Sequence, residues 1–126
     1  MTVHAKKMNR NLRELKPARK CEWIPDGESE QPLFLMTLGE LAVLGVKPEL
    51  TRITERAVRD ASPFPCTLIA TLINGGAKYM ADRSSYDRCT YEAMNSPFAP
   101  GAAEILAGAA ETLLKGACEH EKTVSA

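Results

Sequence analysis

The sequence predicts an α/β fold with a small mixed sheet, a β-hairpin, a strand-helix-strand unit and a C-terminal helix packed on the sheet. Three observations lead to this prediction. Two short apolar runs flank a glycine turn, a helical pattern then precedes a β-branched run, and a helical pattern rich in alanine and leucine ends the chain. The length of 126 residues and the apolar share of 44% allow one domain with a modest core.

Residues 1–31 are polar and predict a basic arm followed by a loop. Seven lysines and arginines lie in the first twenty residues, where Glu14 is the only acid, and Trp23-Ile24 is the one evident anchor. Sixteen basic and sixteen acidic residues cancel over the whole chain, and the arm has no interleaved aromatic residues. We therefore expect a solvated, partly disordered arm rather than one that contacts nucleic acid or anionic lipid.

The first predicted folded elements are a hairpin and a helix. Leu33 to Thr37 and Leu41 to Val46 are apolar runs on either side of Leu38-Gly39-Glu40, which predicts two antiparallel strands joined by a tight turn. Pro48 suits the first position of a helix, because the N–H that proline lacks has no partner there. We expect this helix to end by Ser62-Pro63. Its predicted apolar stripe comprises Leu50, Ile53 and Ala57.

A strand and a long connection follow the helix. The run from Cys66 to Ile73 alternates β-branched with other apolar residues, which predicts a strand buried on both faces, with Cys66 in the core. From Asn74 to Pro97 no helical or strand period persists, so we expect a long connection that is functional or disordered. Four aromatic side chains anchor this segment in the prediction: Tyr79, Tyr86, Tyr91 and Phe98.

Pro100-Gly101 opens the last predicted helix, which runs to Ala117 and packs on the sheet. Its predicted apolar stripe comprises Ile105, Leu106, Ala109, Leu113 and Ala117. The polar tail from Glu119 to Ala126 is expected to fray. The predicted folded segment therefore spans residues 32–118, between the arm at 1–31 and the tail at 119–126.

The sequence gives no support for a membrane-spanning protein, a secreted protein or several classes of enzyme. No run reaches the roughly eighteen apolar residues of a membrane span, and no apolar stretch of a secretion signal follows the basic start. We therefore expect a soluble chain, cytoplasmic by default. Four scattered cysteines form no CxxC pair, which favours reduced thiols over a zinc knuckle or disulfides. No Gly-x-Ser-x-Gly, His-Glu-x-x-His or phosphate-loop motif occurs.

Glu49, Tyr79 and Tyr91 are the candidates for chemistry. Glu49 follows a predicted strand, where α/β folds display catalytic groups, although acids are also common at helix starts for structural reasons. Tyr79 and Tyr91 lie twelve residues apart in the long connection. The alternative for each tyrosine is an aromatic anchor that holds the connection against the core.

These residues and their neighbours resemble the C-terminal end of the catalytic region of neutral/alkaline ceramidases. The resemblance covers about residues 33–117 and rests on ordered segments: Val46-Lys47-Pro48-Glu49, Asn74-Gly75 with Tyr79 after the apolar strand, Tyr91 in Cys89-Thr90-Tyr91-Glu92, and Ser96-Pro97-Phe98-Ala99-Pro100-Gly101-Ala102. It implies a zinc-dependent amidohydrolase that cleaves N-acyl sphingosine, a ceramide-like lipid. In that family Glu49 and Tyr79 would match zinc ligands, and Tyr91 would match a tyrosine that contacts the reacting amide.

The resemblance also implies a partial domain. The family binds zinc through two further histidines from its N-terminal portion, whereas this chain has only His4 and His120, neither within a family motif. We therefore expect a fragment or short homologue of the enzyme that is inactive alone. The alternative, from a different class, is a non-catalytic α/β interaction or structural module. A homo-oligomer or a completing subunit is the expected protein partner.

Overall fold

Seven strands and four helices make up the part of the chain that the computed structural model describes, residues 1–8 and 23–125. The strands are β1 (Thr2–Met8), β2 (Trp23–Glu30), β3 (Leu33–Leu38), β4 (Leu41–Val46), β5 (Glu49–Leu50), β6 (Cys66–Ala70) and β7 (Tyr79–Met80). The helices are α1 (Arg52–Ala61), α2 (Arg83–Asp87), α3 (Tyr91–Met94) and α4 (Ala102–Ser125). This arrangement confirms the predicted α/β class with a small mixed sheet.

The predicted hairpin is confirmed and lies in a three-stranded central sheet with the order β3-β4-β6. β3 and β4 pair antiparallel from Leu33 opposite Val46 to Leu38 opposite Leu41. Gly39 occupies the connecting turn with a φ of 58°, a left-handed conformation that glycine adopts without steric cost. β6 pairs parallel with β4 after the crossover through α1, so the predicted strand-helix-strand unit is also confirmed.

The chain remains extended beyond β4, and α1 therefore begins later than predicted. Pro48 lies between β4 and β5, and α1 starts at Arg52 with Thr51 as its N-cap. Backbone groups before Thr51 are used in lateral pairing, because Glu49 N–H donates to the carbonyl of Lys78 at 2.7 Å. The fixed φ of proline is compatible with extended backbone as well as with a first helical turn.

The buried face of α1 differs from the predicted stripe. Thr54 and Val58 are buried, whereas Ile53 is 53% exposed and Ala57 is also exposed. Leu50 is buried, but it belongs to β5. The later start changes which residues face the core, because a helix repeats every 3.6 residues. The predicted end is confirmed, since the last helical residue is Ala61 and Ser62 is the C-cap.

The prediction that the strand beginning at Cys66 is buried on both faces is wrong. The strand ends at Ala70 and lies at one edge of the central sheet. Cys66 is exposed rather than in the core, and Leu68 is also exposed. The physical reason is that α1 and α4 share one core with one face of the sheet, which leaves these side chains on the other face.

The N-terminal residues form strands where an arm and a loop are predicted. β1 and β2 pair antiparallel, and Ala5 forms an isolated bridge with Phe98. Lys6 N–H also donates to the carbonyl of Pro97 at 2.7 Å, and Val3 joins the main core. These long-range contacts order residues whose own sequence has little hydrophobic period. Residues 9–22, which carry much of the predicted basic arm, lie outside the described residues.

The connection from Asn74 to Pro97 contains β7, α2 and α3, so it is more regular than predicted. Its short helices have side-chain caps: the carboxylate of Asp82 accepts from Ser85 N–H, and the hydroxyl of Thr90 accepts from Ala93 N–H. Tyr86 is buried and donates its hydroxyl to the carbonyl of Phe98 at 2.5 Å. Helix caps and the buried Tyr86 therefore stabilise this segment, although its sequence has no regular hydrophobic period.

The last helix is longer than predicted, and the face that it buries differs from the predicted apolar stripe. α4 continues through the expected tail to Ser125, where Lys122 lies 3.4 Å from Glu119 and Thr37 donates to Glu121 at 2.6 Å. Its fully buried face comprises Ala102, Ala103, Leu106, Ala110 and Leu114. Ile105 and Leu113 of the predicted stripe are exposed. No helix in the described ranges is long and apolar enough to cross a membrane.

The position of α4 can be tested by comparing two adjacent leucines. Leu114 is fully buried, whereas Leu113 is 37% exposed. Leu114→Ala should lower the free energy of unfolding by about 2 to 5 kcal/mol, because it removes buried methyl groups and leaves a cavity. Leu113→Ala should cost less than about 1 kcal/mol. Urea unfolding measures both values, and equal losses would contradict this register of the helix.

Candidate functional site

Glu49 and Tyr79 are adjacent across a short parallel ladder. Glu49 in β5 is the register partner of Tyr79 in β7, and Leu50 is the partner of Met80. Residues in register on adjacent strands project to the same face of a sheet. Lys78 precedes β7 with a φ of 56°, a left-handed conformation that is uncommon for a residue with a side chain. The backbone of this segment therefore brings the two predicted metal-facing residues together.

Tyr91 completes the convergence of the three candidate residues. It is the first residue of α3, and its ring packs edge to face on that of Tyr79, with centroids 5.8 Å apart and planes at 77°. Thr90 fixes the start of this helix through its side-chain cap. Tyr91 remains 64% exposed, so its phenol faces solvent beside the Glu49–Tyr79 pair. The sequence motif thus corresponds to one cluster in space.

The electrostatic surroundings of Tyr79 keep its phenol protonated. The negative charge of Glu49 is the largest cause that raises the pKa of Tyr79 above its ordinary value, followed by partial burial and then by Tyr91 and Glu92. Each neighbouring anion disfavours the phenolate. These surroundings therefore favour the neutral phenol of Tyr79 over the phenolate. A bound cation would be needed to convert it into an anionic ligand at neutral pH.

A cleft of about 390 Å³ lies beside this cluster and includes residues that the sequence analysis did not identify. Arg52 and Ile53 come from the start of α1, and Arg88, Thr90 and Glu92 come from the region of α2 and α3. The remaining lining residues are Glu49, Leu50, Thr51, Tyr79, Asp82 and Ser85. Carboxylates and guanidinium groups both occur in this lining, beside the apolar side chains of Leu50 and Ile53, so the cleft can contact both polar and apolar groups.

Asp82 organises the inner side of the cleft. Its buried carboxylate accepts hydrogen bonds from Thr51 Oγ1 at 2.7 Å, from Ser85 Oγ at 2.8 Å and from Ser84 Oγ. Burial alone would raise the pKa of Asp82, but these donors and its own backbone N–H outweigh it and lower the pKa. The carboxylate therefore stays ionised and connects the N-termini of α1 and α2. The sequence signal was an aspartate three residues before a serine at a helix start.

The donor set for a metal is incomplete in the described residues. Glu49 and Tyr79 supply two oxygen atoms, whereas a catalytic zinc commonly has three protein ligands. In residues 1–8 and 23–125, no three histidine, cysteine, aspartate or glutamate side chains are grouped so that they could hold one metal ion. His4 lies in β1 and His120 lies in α4, and neither joins Glu49 in such a group. Within the described residues, Glu49 and Tyr79 by themselves do not make a complete zinc site.

Comparison with known proteins identifies no relative of this chain. No protein-family model, no curated protein and no solved structure matches the chain. The arrangement of Glu49, Tyr79 and Tyr91 is therefore the structural feature that bears on function.

Replacing Asp82 tests its role in holding the cleft together. Asp82→Ala should lower the free energy of unfolding by about 2 to 4 kcal/mol at neutral pH, because a helix cap and charge-assisted hydrogen bonds are lost. Asp87→Ala is the matched control, since Asp87 is exposed at the end of α2. Denaturant unfolding of both variants gives the comparison. A cost for Asp82→Ala no greater than that of the control would contradict the proposed role.

The pH dependence of the Asp82 effect has a defined sign. A carboxyl whose pKa is lower in the folded state stabilises the fold above its unfolded pKa and loses that contribution as the pH falls through its folded pKa. The difference between wild type and Asp82→Ala should therefore shrink as the pH falls below about 4. A difference that grows on acidification would show that Asp82 is not held as an ionised acceptor.

Glu49→Gln tests the coupling between the two paired residues. Removing the negative charge should lower the pKa of Tyr79 toward its ordinary value of 10.0, because the largest cause of the rise is removed. Ultraviolet detection of phenolate during alkaline titration, with Tyr86→Phe and Tyr91→Phe in the background, isolates Tyr79. Glu40→Gln in the β3–β4 turn is the charge-matched control. An unchanged Tyr79 titration in Glu49→Gln would show that the two side chains do not interact.

Proposed function

We propose that this chain is part of a zinc-dependent ceramidase-like amidohydrolase. Its substrate class would be an N-acyl sphingosine, whose amide is hydrolysed to a fatty acid and a sphingoid base. The supporting observation is the register pairing of Glu49 with Tyr79, together with the ring of Tyr91 against that of Tyr79. Glu49 and Tyr79 line the same cleft because β5 and β7 are paired, and Tyr91 lies next to that pair through its ring contact with Tyr79.

Each residue has a defined part in this proposal. When bound, zinc supplies an activated water and polarises the amide carbonyl. Glu49 and Tyr79 would provide two oxygen ligands, and the positive charge of the metal would offset the anionic surroundings that raise the pKa of Tyr79. Tyr91 would donate a hydrogen bond from its solvent-facing phenol to the amide oxygen as negative charge develops there.

The number of ligands limits what the chain does alone. Two oxygen donors hold zinc weakly, and a catalytic site needs a further protein ligand and an open position for water. We propose that the remaining ligands, imidazoles in the ceramidase resemblance, come from another polypeptide segment or subunit. The chain would then contribute the acidic and phenolic half of a composite site.

A non-catalytic α/β module is the second candidate, and the incomplete donor set favours it. In this case the Glu49–Tyr79 pair is a structural contact between β5 and β7, and Tyr91 covers the edge of Tyr79. The two candidates differ in their response to metal. A half-site gains affinity for zinc when missing ligands are supplied, whereas a structural contact has no such response.

Hydrolysis and zinc retention together distinguish these candidates. The purified chain with zinc should show no appreciable turnover of an N-acyl sphingosine, because it has fewer than three ligands. Free imidazole should increase zinc retention by the wild type, measured by equilibrium dialysis, and should not do so for Tyr79→Phe or Glu49→Ala. Glu40→Ala serves as the control, since Glu40 lies in the distant β3–β4 turn.

Two results would contradict the proposal in different ways. Zinc-dependent turnover by the chain alone that Glu49→Ala abolishes would show that other residues or an oligomer complete the site. Zinc retention that is unaffected by imidazole and by both variants would remove Glu49 and Tyr79 as ligands. That second result would favour the non-catalytic module.

A further inference from the structure

The connection between β6 and β7 contains an asparagine followed by a glycine at an exposed turn. Asn74 and Gly75 are both exposed, and their φ values of 51° and 93° are left-handed. No atom of a non-adjacent residue lies within 4 Å of the position that a Cβ of Gly75 would occupy. The side-chain amide of Asn74 makes no hydrogen bond within residues 1–8 and 23–125. Solvent therefore reaches both residues, and no described contact restrains the amide.

An asparagine amide in this setting can react with its own main chain. The nitrogen of Gly75 loses its proton to hydroxide and attacks Cγ of Asn74, the Cγ–Nδ2 bond breaks, and Nδ2 takes a proton from water and leaves as ammonia. The product is a five-membered succinimide. Water then opens this ring, which gives aspartate, or isoaspartate when the main-chain carbonyl carbon is attacked. Glycine favours ring closure because it has no Cβ beside the attacking nitrogen.

Asn95 is the other asparagine in the described ranges, and its surroundings differ. Its Nδ2 donates to the carbonyl of Tyr91 at 2.8 Å. The nitrogen that would attack it belongs to Ser96, which is only 3% exposed and whose N–H donates to the carbonyl of Ala93 at 3.4 Å. The leaving group and the attacking nitrogen are therefore both held at Asn95. The fold thus distinguishes the two asparagines.

We propose that Asn74 is a site of spontaneous deamidation and that its isoaspartyl product disturbs the pairing of β5 with β7. The reaction consumes only water and releases only ammonia. Its reacting groups belong to adjacent residues, so bringing them together costs little entropy. This inference does not depend on the proposed hydrolase function.

The turn lies between two backbone hydrogen bonds that fix the connection. Ile73 N–H donates to the carbonyl of Val46 at 3.2 Å, and Ala77 N–H donates to the carbonyl of Lys47 at 3.3 Å. In isoaspartate the main chain runs through the former side chain, so it is longer by one methylene group. The longer backbone has to fit between the same two bonds. Isoaspartate at position 74 therefore weakens at least the bond at Ala77, which follows the turn.

The distortion reaches the candidate site through Lys78. The carbonyl of Lys78 accepts from Glu49 N–H at 2.7 Å, directly beside the register pair of Glu49 and Tyr79. Lys78 has a left-handed φ of 56°, which costs energy for a residue with a side chain and persists only where its surroundings maintain it. Loss of the bond at Ala77 removes part of that support. The chemical state of Asn74 is thus coupled to the position of Tyr79.

Ageing of the full chain, followed by peptide mass spectrometry, tests the reaction. In the folded chain Asn74 should convert at least about tenfold faster than Asn95, because only Asn74 has an unrestrained amide next to glycine. Its rate should rise with pH, since the attacking nitrogen has to lose a proton. Asn74→Gln should slow conversion at this position by at least about tenfold, because a larger ring has to close. Labelling by isoaspartyl methyltransferase identifies the isoaspartate.

Unfolding in urea separates the effect of the fold from that of the sequence. Conversion of Asn95 should accelerate by at least about tenfold, because the hydrogen bonds that hold it are lost. Conversion of Asn74 should change by less than about threefold, because the folded turn leaves it unrestrained. An acceleration of Asn74 as large as that of Asn95 would show that the fold protects the turn, and the proposal would fail.

Hydrogen exchange at Ala77 and Glu49 tests the structural consequence. Anion-exchange chromatography separates the converted chain through its added negative charge. This fraction should contain a population in which both amides exchange at least about fivefold faster than in the wild type, as expected for the loss of one hydrogen bond. Asn74→Asp is the matched control, since it adds the same charge without lengthening the main chain. It should keep the wild-type exchange rates.

Two further results would contradict the proposal, and neither measurement involves zinc or hydrolysis. Conversion of Asn74 no faster than that of Asn95 in the folded chain would remove it as a modification site. A converted fraction whose Ala77 and Glu49 amides exchange as in Asn74→Asp would show that the turn accommodates the extra methylene group. That result would remove the coupling to the candidate site.

Discussion

Backbone pairing between residues 46–50 and 73–80 is the constraint on which the rest of the structure depends. Ile73 N–H donates to the carbonyl of Val46, Ala77 N–H to that of Lys47, and Glu49 N–H to that of Lys78. These bonds keep the chain extended past β4, which moves the start of α1 to Arg52. They also set the register that places Glu49 beside Tyr79. The candidate site and the orientation of the helix therefore have one cause.

Asp82 extends this constraint from the backbone to side chains. Its ionised carboxylate joins the start of α1 to α2 through hydroxyl donors that are themselves at helix starts. Hydrogen bonds to a charged acceptor are about twice as strong as those between neutral groups, and they are directional. The cleft beside Glu49 and Tyr79 is consequently lined by a carboxylate that these hydrogen bonds hold in place.

The two faces of the central sheet are both largely apolar but have different surroundings. Leu44 on the face that joins the core is fully buried, whereas Met36 and Leu68 on the opposite face are more than half exposed. Burial of apolar area favours folding by about 25 cal/mol per Å², so Leu44 stabilises the fold more than Met36 or Leu68 does.

Local sequence determined the elements whose signals lie within a few residues. The β3–β4 hairpin follows from two apolar runs and Gly39, and the end of α1 follows from Ser62-Pro63. The candidate residues were also visible, because Glu49, Tyr79 and Tyr91 stand in a motif, although the motif alone gives no distance between them. The contact between the Tyr79 and Tyr91 rings follows only from the tertiary structure.

Tertiary structure alone decided which positions are buried and where the weak elements form. The N-terminal strand depends on contacts of Ala5 and Lys6 with residues more than ninety positions away, which no local pattern encodes. The buried face of α4 includes Leu114 rather than Leu113, because several adjacent positions are apolar and packing selects among them. Likewise Cys66 is apolar in context but exposed, because burial requires a covering layer as well as an apolar residue. The sequence shows which side chains are apolar enough to be buried. The packing of neighbouring elements decides which of them are buried.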